Sequence, residues 1–139
     1  MPTKAVLIAL ILGSSAPGPL LAGPLARFSY SVELAAAMNL RYGPPGGMNP
    51  AAPRFVVDET RGRDTAGPLL LGAIQALIRA FPGCGTRQLP FAYAYGEAAD
   101  ERIVVFNQKT MHAPECPAIA AVAVSTASAA VTVRSFPEL

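Results

Sequence analysis

The residues best suited to chemistry gather in one run, His112-Ala113-Pro114-Glu115-Cys116, which holds the single histidine, a carboxylate and one of the two cysteines. Zinc draws three or four ligands from His, Cys, Asp and Glu. Pro114 and Pro117 forbid the helical spacing that would align His112, Glu115 and Cys116, so no metal is expected there. A Cys–His nucleophilic pair would need Cys84 or Cys116 as a thiolate with His112 as its base. Cys84, however, lies between Gly83 and Gly85 just past an expected helix C-terminus, and that end of the dipole disfavours a thiolate. The expectation is one disulfide, Cys84–Cys116, with His112 in the loop beside it.

Other candidate groups read more simply as structure. The carboxylate pairs Asp58-Glu59 and Asp100-Glu101 are adjacent, so in extended chain they point to opposite faces and suit solvated turns better than a catalytic dyad. Asp64-Thr65-Ala66-Gly67 departs from the Asp-Thr-Gly signature of aspartic proteases, because Ala66 intervenes and Arg63 precedes the aspartate; a helix cap accounts for it. Phe91, Tyr93 and Tyr95 alternate with alanine and put three aromatics on one face of a strand. They could stack a sugar, a base or a partner's side chain, and together with His112 they are the candidate ligand-binding residues. The simpler expectation is that they cover an apolar helix. There is neither a glycine-rich phosphate loop nor a nucleophile elbow.

The compartment follows from the first residues. Lys4, the apolar run Ala5 to Leu12 and the small residues Gly13-Ser14-Ser15-Ala16 make up a signal peptide over 1–15, with rival cleavage sites as far as Ala26. A Pro/Gly-rich leader over 16–27 and a single domain over 28–139 would follow. The mature chain would be periplasmic or secreted, where two cysteines are expected to be oxidised. Cleavage removes only Lys4 from the charged residues of the chain, which carries 11 basic and 9 acidic residues in all. That scattered near-balance excludes a phosphate-tracking groove, so nucleic acid is not an expected partner.

These residues must be positioned by a helix and several strands. Residues 67–81 read as a helix apolar on almost every face, started by Asp64 or Thr65 with Pro68 in its first turn, and stopped by Pro82-Gly83. At ~1.5 Å per residue it is about 20 Å long, too short for the ~30 Å hydrocarbon core, so no membrane span is expected in the mature chain. A shorter helix, capped by Ser29 or Ser31 and carrying Glu33 and Arg41 at its ends, comes before it; a strand over 28–32 is the alternative. The stretch 43–53, with four prolines and three glycines, is a long surface loop. Strands are expected at 54–58, 91–95, 102–106, 119–124 and 129–133. The fold class is thus α+β: one buried helix, about 67–81, packed in roll-like fashion on an antiparallel sheet of about four to five strands, with a short N-terminal helix.

Composition and motifs together point to a small exported binding or interaction module without catalytic machinery or cofactor, its partner an unidentified protein or small ligand. The alternative is a small exported hydrolase or metal-dependent enzyme using His112 with Glu115 or a thiol. A third reading is an envelope assembly component acting through loop 43–53.

Overall fold

The computed structural model describes residues 27–43, 52–85, 90–108 and 116–136. The signal segment, the leader up to residue 26, most of loop 43–53, and His112 with Glu115 lie outside the described residues. The order is β1 (Phe28–Tyr30), α1 (Val32–Tyr42), β2 (Arg54–Phe55), α2 (Glu59–Ala80), a 3-10 turn (Pro82–Cys84), β3 (Phe91–Glu97), β4 (Glu101–Gln108), β5 (Ile119–Ser125) and β6 (Val131–Phe136).

Strand and helix divide the first segment between them. Phe28-Ser29-Tyr30 is strand, and Ser31 then caps α1 by accepting the Leu34 N–H at 3.0 Å. Glu33 and Arg41 complement the α1 dipole, and Gly43 ends it at φ +97°, a conformation that suits glycine.

Helix α2 differs from expectation in length and in covering. It begins at Glu59, two turns before the expected start, because Asp58 accepts the Arg61 N–H at 2.8 Å and serves as the cap. Thr65 bonds back to the Arg61 carbonyl at 2.7 Å inside the helix. Pro68 therefore sits in the interior, where its ring removes one backbone bond, yet it lies on the solvent face. Small residues at the front extend the core-facing stripe to Gly62, Ala66, Leu70, Ala73, Ile74 and Leu77, and this packing outweighs the cost of the proline. Gly67, Pro68, Gly72, Gln75 and Arg79 are exposed, so the helix is apolar on one side and not all round. No described helix is long and apolar enough to cross a membrane.

The sheet has six strands and is mostly antiparallel, an α+β fold with a helix laid on the sheet. β3 to β6 form a meander in which each strand pairs antiparallel with the next. The free edge of β3 is shared by two short strands: β1 runs parallel along Phe91–Tyr93, and β2 antiparallel along Gly96–Glu97.

Register sorts the two faces of the sheet. Phe91, Tyr93 and Tyr95 share one face with Phe106, Val104 and Arg102; Ala92, Ala94 and Gly96 share the other with Val105, Ile103 and Phe55. The aromatic face meets α2: the Tyr30 ring lies against Gly62, and the Arg102 guanidinium reaches the Thr65 carbonyl at 3.4 Å. The small-residue face meets α1, where Tyr42 stacks on Phe55 at 6.2 Å and Arg41 lies over the Phe136 ring at 5.0 Å. A helix therefore covers each face, where the sequence suggested a roll around one. That is why Phe91 to Gly96 are buried without a break, alanines included. At the far end of α2, Cys84 and Cys116 stand at disulfide distance, Sγ to Sγ 2.09 Å, tying the helix to the start of β5. Buried Gln108 holds the same corner by donating to the Cys116 carbonyl at 2.7 Å.

Candidate functional site

The split edge of β3 leaves a gap between the end of β1 and the end of β2, at Tyr95. The Tyr30 side chain fills it. Its hydroxyl accepts the Tyr95 N–H at 3.2 Å and donates to the Val56 carbonyl at 2.5 Å. Val56 in turn donates its N–H to the Tyr95 carbonyl at 2.8 Å. On the other side of β2, the Asn39 amide acts as a substitute strand: Nδ2 donates to the Phe55 carbonyl at 3.0 Å and Oδ1 accepts the Phe55 N–H at 2.7 Å. Two side chains thus fix residues 54–56 against the end of β3.

Between this segment, the first turns of α2 and the end of β3 lies a concavity of about 440 Å³. Arg54, Val56, Arg61 and Thr65 form one side of it, and Tyr95, Glu97 and Ala98 the other. Tyr95, itself buried, is the floor. Its hydroxyl donates to Glu97 Oε2 at 2.8 Å and accepts from Arg102 Nε at 2.7 Å, while the Arg102 guanidinium lies 5.5 Å from the centre of its ring. Burial pushes the Tyr95 phenol above its ordinary pKa; the Arg102 hydrogen bond works against this shift and the Glu97 carboxylate adds to it. A phenol held that way stays protonated at neutral pH. It serves as a fixed dipole between a carboxylate and a guanidinium and not as a base.

The arginines of the wall are held differently. Arg54 donates from Nη1 to the Gly43 carbonyl, which anchors it at the rim. Arg61 stands exposed on the first turn of α2, where Asp58 engages its backbone N–H. The one ion pair among the described residues joins Arg63 to Glu59 at 3.2 Å, on the exposed side of α2. Among the described residues no group of three His, Cys, Asp or Glu side chains could hold a metal ion.

Of the candidates read from sequence, Tyr95 lines the concavity, while Phe91 and Tyr93 lie in the core. Phe91 stacks on Phe28 at 5.1 Å, and Tyr93 meets Tyr30 edge-on at 5.2 Å. Cys84 and Cys116 are both buried, at the opposite end of α2 from Arg61. The residues that sequence reasoning missed are Arg54, Arg61, Glu97 and Arg102. Only Glu97 and Arg102 carried a signal: they flank the Ala98–Asp100 turn, so a hairpin closing there faces their opposite charges across the strands. No known family model, curated protein or solved structure matches the chain.

Proposed function

We propose that this protein is a non-catalytic binding module of an oxidising compartment, and that it binds a small ligand in the concavity between β2, α2 and the end of β3. The observation that carries the reading is the Arg102–Tyr95–Glu97 chain beneath that concavity. Its polar groups are oriented by one another before any ligand arrives, and the volume of about 440 Å³ falls within the range of small-molecule sites. Preorganised polar groups lower the entropic cost of binding.

A catalytic reading through a thiol loses its nucleophile, because neither joined sulfur is a thiolate. A buried cysteine pair at bonding distance also favours a periplasmic or secreted location, in keeping with the N-terminal signal pattern.

Binding is tested by backbone amide NMR of the oxidised protein titrated with a set of small polar molecules. Saturable shifts at Arg54, Val56 and Tyr95 to Ala98 are expected; shifts confined to another surface would overturn the assignment. The compartment is tested by the intact mass of protein expressed in a bacterium with an export pathway. A chain starting between Ala16 and Arg27 and alkylated only after reduction is expected, whereas a full-length chain with two alkylated thiols would refute export.

A further inference from the structure

The charges around the concavity do not cancel, and that asymmetry selects among ligands. The inference rests on the binding reading above. Glu97, the register partner of both Arg54 and Arg102, accepts the Tyr95 hydroxyl at Oε2 and forms no ion pair with either arginine. Glu59 is taken by Arg63, and Asp58 by the backbone N–H of Arg61. Arg54 and Arg61 remain as two guanidinium groups in one wall, neither ion-paired among the described residues. Arg54 spends one of its donors on Gly43, which fixes its direction and leaves the rest of the fork for a ligand.

We propose that the group recognised here is a carboxylate carried on a short aliphatic chain. A planar carboxylate matches the donor fork of a guanidinium and forms hydrogen bonds stronger than those of a neutral amide. Inorganic phosphate brings no alkyl chain to the apolar part of the lining, and an ammonium would meet both arginines. Val56 and Ala98, the apolar part of the lining, offer room to a few methylene groups and not to a large aromatic body.

The test is an NMR titration of the full oxidised chain with butyrate, butyramide, butylammonium and inorganic phosphate at matched ionic strength. It is read at the Arg54 and Arg61 side-chain Nε–H signals and at the amides of Tyr95 to Ala98. Butyrate should bind about tenfold more tightly than the other three probes. Arg61→Gln lies on an exposed turn and should keep its melting temperature; it should bind butyrate about tenfold more weakly and leave butyramide unchanged. Butyramide equal to butyrate, or phosphate or butylammonium tighter than butyrate, would overturn the carboxylate assignment and leave the binding reading standing. A butyrate preference unaltered by Arg61→Gln would also overturn it. No saturable shift with any of the four probes would remove the small-ligand reading itself.

Discussion

Tyr30 gives the edge of β3 hydrogen bonds that a continuous neighbouring strand would otherwise supply. Replacing it with phenylalanine keeps the ring against Gly62 but leaves the buried Tyr95 N–H without its acceptor. Tyr30→Phe should therefore destabilise the fold by about 1–3 kcal/mol, read as a lower urea midpoint with an unchanged slope. Burial also raises the phenol pKa of Tyr30, Tyr93 and Tyr95 above the ordinary 10.0. A folded pKa above the unfolded one means these phenols contribute stability that is whole below about pH 10 and is lost as pH rises through their folded values. Tyrosinate absorbance from these three should thus grow only above the range of the denatured chain, together with loss of the near-ultraviolet dichroism. Their ionisation at the denatured-chain pH with the fold intact would contradict this account.

At the scale of the element, α2 is where sequence and structure part most clearly, and two of its glycines show why. An added Cβ at Gly62 would lie 2.2 Å from the Tyr30 ring, whereas one at Gly72 would meet nothing within 4 Å. Gly72→Ala should stabilise by about 0.5–1 kcal/mol through helix propensity alone. Gly62→Ala gains the same propensity but must displace a hydrogen-bonded tyrosine, and should destabilise by about 1–3 kcal/mol. Thermal melts of the two variants should move in opposite directions. The start of α2 was hidden in the sequence because Pro68 suits the first turn of a helix and Gly62 disfavours a helix interior, and only the partner Tyr30 makes a glycine the right residue at 62. By contrast β3, β4 and β5 were legible to within two residues, since Phe91 to Tyr95, Ile103 to Phe106 and Ile119 to Val124 carry the period and the β-branched content of strands. The aromatic face of β3 was legible too. Its second covering helix was not, because alanines at 92 and 94 pack closely under α1 and look, in sequence, like an open side. The concavity was the least legible part. Arg54, Arg61 and Glu97 are brought together by an edge pairing that no local pattern announces.

Across the whole molecule, α2 is tied to the sheet at both ends: Tyr30 lies against Gly62 near its start, and the Cys84–Cys116 bridge stands beyond its end. The bridge closes a loop with a sequence separation of 32 residues. Replacing both cysteines with alanine should cost about 3–4 kcal/mol on the chain-entropy account, read as a fall in melting temperature. Because both sulfurs are buried, added reductant should reach them only through opening of that corner, so the reduction rate should follow the exchange of the amides around it. The shared edge of β3 has a consequence in time. β3 to β6 pair in chain order, while β1 and β2 reach the sheet only from more than forty residues away, over three and two residues respectively. Such an arrangement divides the protein into a late-opening meander and an early-opening N-terminal unit that detach with different free energies. Native-state hydrogen exchange should find the amides of Ser31, Phe55 and Val56 exposed by a cheaper excursion than those of Val104 and Val122. In that excursion β3 is briefly an open edge strand, the form in which this chain is most prone to pair with another copy of itself.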